Sequence, residues 1–124
     1  MSDTFLIRLK FGAGAWNRWR EEKPEEVISL DGAKLDGMIL TGINFSRVSL
    51  RGASLHATNL MNADLRHVDF TGANLEEADL IGANLEGSVL HGARLREADF
   101  LGANLTGARY SQDDLIGALH VPAP

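Results

Sequence analysis

The residues best suited to chemistry in this 124-residue sequence are His56, His67, His91 and His120, together with Asp64, Asp69, Asp79 and Asp99. Three or four of these converging on one point would hold a metal ion, and two carboxylates facing each other would exchange a proton with a substrate. There is no cysteine, which excludes disulfides and thiolate metal sites. The four aspartates fall at positions separated by five residues or a multiple of five. Whatever element positions them must therefore repeat every five residues, and the repeat decides whether they meet.

The period runs through most of the chain. Every fifth residue is large and apolar: Leu30, Leu35, Leu40, Phe45, Leu50, Leu55, Leu60, Leu65, Phe70, Leu75, Leu80, Leu85, Leu90, Leu95, Phe100, Leu105, Tyr110 and Leu115. Two positions before these centres the residue is most often alanine, as at Ala63, Ala73 and Ala83; two positions after, glycine dominates, as at Gly72, Gly82 and Gly92. On an α-helix, five residues turn through about 500°, so successive centres scatter around the axis. On a strand, side chains alternate, so centres an odd number apart face opposite ways. Each pentad must contain a bend. Three extended residues followed by a two-residue corner satisfy the pattern: the alanine and the centre point inward, the residue between them points outward, and glycine at the corner accepts positive φ.

A chain that bends every five residues coils. The residues just after the centres are mostly polar, and the exceptions, Met61, Ile81 and Leu101, recur every 20 residues. Glu77 and Glu97, and Arg47 and His67, keep the same interval. Four pentads per turn give a four-sided solenoid, right-handed by the usual crossover rule. In this arrangement His56, His67 and His91 occupy outward positions on different faces or corners, and Asp64, Asp69, Asp79 and Asp99 share their outward position with Asn44, Asn59, Asn74, Asn84 and Asn104. Bonding to backbone or to the same position one coil on accounts for these better than catalysis, and the alanine column leaves no internal room for a cofactor. The expectation is no catalytic residue, no metal, no cofactor and no small-molecule substrate.

Segments such as Ala73-Asn74-Leu75-Glu76-Glu77 and Ala83-Asn84-Leu85-Glu86-Gly87 resemble the pentapeptide-repeat family. The resemblance covers residues 28 to about 115 and implies a right-handed quadrilateral parallel β-helix, an all-β solenoid of about four and a half coils with short helical caps. The stretch AWNRWREEKP also resembles an N-terminal element that precedes the repeats in some bacterial, often cyanobacterial, members.

Open solenoid ends need covers. The expected organisation is an N-terminal capping segment (residues 1–26), the repeat (27–115) and a C-terminal cap and tail (116–124), with HVPAP as a loose tail. Trp16 and Trp19 share one face of a capping helix over residues 13–22, ending before Pro24. Phe5, Ile7, Leu9 and Phe11 alternate like a strand, whereas the family resemblance implies another helix.

The net charge of −5 argues against a nucleic-acid partner, which requires a basic face. No run of apolar residues suggests a membrane span or a secretion signal, so the expected setting is cytoplasmic. Met61, Ile81 and Leu101, with Ile39 expected on the same side, form an outward apolar stripe, so the expected partner is another protein or a second copy. The alternative comes from the family: some members mimic DNA and bind type II topoisomerases such as DNA gyrase. Here Arg51, Arg66, Arg94 and Arg96 interrupt the acidic columns, and the register is expected to run unbroken from Leu30 to Leu115, which leaves no room for a loop.

Overall fold

Each pentad closes a turn in which the N–H three residues after the centre donates to the centre's carbonyl, as in Ala33 N to Leu30 O at 3.0 Å and Ala83 N to Leu80 O at 3.0 Å. The residue two after the centre takes positive φ, 72° at Gly32 and 69° at Gly72, as the third position of a type II turn requires. Arg47, Ala57, Asn62, His67, Glu77 and Glu97 hold the same left-handed conformation at φ between 58° and 65°, a strain of about 1–2 kcal/mol for an L-residue that the surrounding ladder imposes.

This is a computed structural model that describes residues 3–123; Met1, Ser2 and Pro124, parts of the expected end segments, lie outside the described residues. Parallel bridges join residues 20 apart, from Ser29↔Ser49 through Asn84↔Asn104 to Val89↔Arg109. Centre N–H groups donate forward, as in Leu30 N to Ser49 O at 2.8 Å, and the bridge residue donates back, as in Ser49 N to Ile28 O at 3.1 Å. Each side contributes one isolated bridge residue and no extended strand. The expected three-residue strands are absent because the turns consume four of every five residues, leaving only the one before each centre outside them.

Every centre from Leu30 to Leu90, and Phe100, is at most 1% exposed. Phe45, Phe70 and Phe100 fall on different sides of the coil, so their larger volumes are distributed rather than stacked, as close packing demands. Leu105, Tyr110 and Leu115 are only partly buried, because among the described residues no further coil stacks on them. Thr58 and Ser88 replace alanine at inward positions, both 0% exposed. Thr58 Oγ1 donates to Leu35 O at 3.0 Å, whereas Ser88 Oγ has no hydrogen-bond partner. Ser88→Ala is expected to stabilise the protein by about 1 kcal/mol, because a buried unpaired hydroxyl carries its full desolvation cost; an unchanged urea midpoint would contradict this.

Two helices precede the repeat: α1 over Asp3–Leu9 and α2 over Ala13–Glu22. The first is helical rather than strand-like, with Leu9 buried and Phe5 against Trp19 at 5.7 Å between ring centroids. Gly12, at φ 93°, makes the turn between them, and Lys23, restricted by Pro24, leaves helical geometry.

At the far end the register does not run unbroken to Leu115. Residues Gln112–Leu115 form a short 3-10 helix, and no bridge joins Arg94 to Asp114. Instead Asp114 Oδ1 accepts from Gly92 N at 3.2 Å, Glu97 N reaches Gly117 O at 2.7 Å, and the ladder resumes at Asp99↔Leu119. Gln112 and Asp113 stand where a repeat has glycine and alanine, and Ser111 and Asp114 form an N-capping pair around them, so local capping outcompetes the corner. The tail is anchored at its first two residues. Val121 packs against the core, and His120 Nδ1 lies 2.9 Å from Asp99 Oδ1.

Candidate functional site

Asp64, Asp69, Asp79 and Asp99 occupy bridge positions, and each turns its Oδ1 back onto its own chain. They accept from the N–H two residues on: Arg66 at 3.2 Å, Thr71 at 3.0 Å, Ile81 at 3.1 Å and Leu101 at 3.1 Å. Asn44, Asn59, Asn74, Asn84 and Asn104 make the same bond. An Asn or Asp here is thus the acceptor that fixes the corner. Where serine takes the position, at Ser49 and Ser54, Asp31 and Asp36 reach from the preceding coil to Arg51 N and His56 N instead. Burial raises the Asp64 carboxyl, but hydrogen bonds from Arg66 outweigh it and hold the group below the ordinary carboxylate range. The His120 hydrogen bond and the Leu101 N–H lower Asp99. Asp64 and Asp99 are thus held ionised by structural partners, the opposite of a general acid poised to donate.

The histidines are dispersed. His56 Nε2 faces Glu77 Oε2 at 3.0 Å, His120 faces Asp99, the His67 ring lies over Gly87 one coil on, and His91 is exposed. Among the described residues no group of three or more His, Asp or Glu is placed to hold a metal, and no helix is long and apolar enough to cross a membrane. Arginines interleave with the acids: Glu76 sits between Arg94 at 3.2 Å and Arg96 at 3.3 Å, Arg51 pairs with Asp69 and Arg66 with Asp64. Such exposed pairs contribute about 0–1 kcal/mol each, but they divide the surface into mixed charge.

Met61, Ile81 and Leu101 stand one above another at the first corner position. The backbone holds them in register, Asn62 N to Ile81 O at 2.9 Å and Gly82 N to Leu101 O at 2.9 Å. Leu101 is 52% exposed; Met61 and Ile81 are half-buried. Ile39 is in the adjacent column. It precedes its centre, so it bridges to Asn59, and that ladder continues to Asp79 and Asp99. The apolar column consists of three residues, and Ile39 is an isolated, 76% exposed side chain beside it.

At the N-terminal end, Trp16 is fully buried and lies edge-on to Phe45, 5.4 Å between centroids at 88°. Trp19 contacts Trp16 at 5.1 Å and carries the Arg8 guanidinium 4.5 Å above its ring. Two further residues of this helix escaped the sequence reading. Asn17 Oδ1 accepts from Asn44 N at 2.7 Å, Arg20 donates to Asn44 O at 3.0 Å and Ser46 O at 2.9 Å, and Trp16 Nε1 also donates to Asn44 O at 2.7 Å. One coil later the equivalent groups of Asp64 and Arg66 are bonded to Ile43 O, Phe45 N and Arg47 N. The α2 side chains therefore stand in for a missing coil on this side, and they bury Ser46, which the sequence places on the outside. Desolvation lowers the pKa of Arg20.

A family model described as pentapeptide repeats matches residues 28–66, 58–95 and 73–109, in 8 copies. The chain belongs to the pentapeptide repeat family. Among solved structures, HetL, a pentapeptide repeat protein involved in heterocyst differentiation regulation from the cyanobacterium Nostoc sp. strain PCC 7120, is 41% identical over 60% of this chain, with a TM-score of 0.59. The match spans 35% of HetL, so the matched part of this pentapeptide repeat chain corresponds to about a third of that protein. The pentapeptide repeat protein alr5209, also from Nostoc, is 26% identical over 87% of this chain and 94% of its own, with a TM-score of 0.59. QnrB1, a plasmid-mediated fluoroquinolone resistance protein, is 18% identical over 68% of this chain and 52% of its own at a TM-score of 0.54, a likeness of fold alone. No curated protein matches.

Proposed function

We propose that this pentapeptide repeat chain is a non-enzymatic scaffold whose flat faces bind another protein or a second copy of itself. The observation that carries the reading is the backbone-locked column of Met61, Ile81 and Leu101, with Leu101 more than half exposed. Side chains aligned by a hydrogen-bonded ladder lose little freedom on contact, which favours association. The interior supports a non-catalytic role, since Leu, Phe and Ala fill it and the carboxylates are engaged in the corners. In this reading the coil is a right-handed quadrilateral β-helix of about four and a half turns. Residues 1–26 form its N-terminal cap, 27–115 its body and 116–124 its C-terminal cap and tail. The likeness to HetL, a regulatory repeat protein, supports a role in macromolecular contact.

The test is Ile81→Glu combined with Leu101→Glu. Both side chains point away from the axis, so circular dichroism should be unchanged. Light scattering of the protein alone, and with lysate proteins cross-linked to it, should show the wild-type association lost in the double variant. The same mass before and after would reduce the column to packing between neighbours.

A further inference from the structure

The first coil has four sides, and α2 closes the outer edge of the one at Asn44 and Ser46. On the side at Lys34 the same kinds of group are left open. In the following coil, Ser54 N donates to Ala33 O at 2.9 Å, Ser54 O accepts from Leu35 N at 2.8 Å, and His56 O accepts from Gly37 N at 2.9 Å. Their counterparts in the first coil are Lys34 N–H, Lys34 C=O and Asp36 C=O, which have no hydrogen-bond partner among the described residues. An open edge of this kind is a template for an added strand.

The surroundings of the edge select what could add. A groove of about 310 Å³ lies between α1 and this rim, lined by Leu6, Ile7, Leu9, Lys10, Lys34 and Met38. Its walls are apolar and Ile7 is 54% exposed. Lys10 and Lys34 stand at its margin, both exposed, and neither makes an ion pair among the described residues. On a chain of net charge −5, two unpaired lysines beside an apolar slot and an open edge favour a carboxylate-bearing ligand with an apolar side chain.

We propose that the Lys34 edge and the groove under α1 dock an extended segment of a partner protein. In that segment an apolar residue is flanked by acidic ones. The segment pairs its backbone with Lys34 and Asp36, places its apolar side chain against Leu6, Ile7 and Met38, and sets its carboxylates against Lys10 and Lys34. This rim is separate from the Met61, Ile81 and Leu101 column, so failure here leaves that face standing, and the reverse.

The probe is a fluorescein-labelled hexapeptide of alternating aspartate and leucine, titrated with the full chain and followed by fluorescence anisotropy. Binding should saturate. A lysine–leucine peptide should not bind. Lys10→Glu with Lys34→Glu should weaken binding by at least about tenfold, as expected for reversing two complementary charges. Lys34→Pro removes an N–H that the fold does not use, so it should weaken binding with the circular dichroism intact; if that variant unfolds, the charge pair still decides. No saturable binding, or equal binding by wild type and charge-reversed protein, overturns the proposal. So does a monomer–dimer equilibrium in sedimentation velocity that Lys34→Glu abolishes, because the occupant would then be a second copy.

Discussion

Trp16→Ala is expected to cost about 4 kcal/mol, near the middle of the range for removing a large buried aromatic side chain. The magnitude follows from three roles in one residue. The ring has no exposed surface and fills the mouth of the coil above Phe45. It sets the position of Trp19, and its Nε1 donates to Asn44 O. Deleting it opens a cavity between Trp19 and Phe45. Urea unfolding followed by far-ultraviolet circular dichroism measures the loss. A change below about 1.5 kcal/mol, the cost of a mild core substitution, would mean that the helices lie on the coil without holding it.

The second large effect is a contrast between two apolar centres. Phe70→Ala is expected to lose about 3–5 kcal/mol, because Phe70 is fully buried with coils on both sides: its N–H bonds to Val89 O at 2.8 Å, and Leu50 N bonds to Asp69 O at 2.9 Å. Leu105→Ala is expected to lose about 1–2 kcal/mol, less than a fully buried leucine, because Leu105 is only partly buried and no coil stacks on it among the described residues. In a solenoid each coil contacts only its neighbours, so a defect in the middle weakens two interfaces and one at the end frays. Urea midpoints of the two variants give the comparison. Equal losses would show that the C-terminal end is as tightly closed as the centre.

The repeat was legible because every pentad imposes the same demand. Only a corner reconciles a five-residue spacing with one buried face, and the recurrence of Met61, Ile81 and Leu101 set the number of sides. What escaped was local and unrepeated. Asn17 and Arg20 look like ordinary polar helix residues, and their role depends on which side of the first coil α2 lands over. A sequence signal did exist, since Trp16, Trp19 and Arg20 share a helix face. Ile39 does lie on the side of Met61, but its place before rather than after a centre puts it in the neighbouring ladder, a distinction of one residue. The departure of SQDDLIGAL, residues 111–119, from the glycine pattern does signal a cap, but the Ser111–Asp114 bond that starts it lies in a stretch whose apolar centres, Tyr110 and Leu115, keep the period. A terminal position alone suggests a loose tail, whereas Val121 offers an apolar contact and His120 a partner for Asp99.

The way α2 substitutes for a coil on one side has a consequence for how such a chain changes length. Trp16, Asn17 and Arg20 are keyed to the corner at Asn44–Ser46, and the far end is keyed through Asp114 to Gly92. Gaining or losing a single pentad would rotate one terminus by a quarter turn relative to the other and misalign every column between them. Growth or shrinkage therefore proceeds in whole circuits, and duplication works here as a ratchet with four teeth of which only every fourth engages.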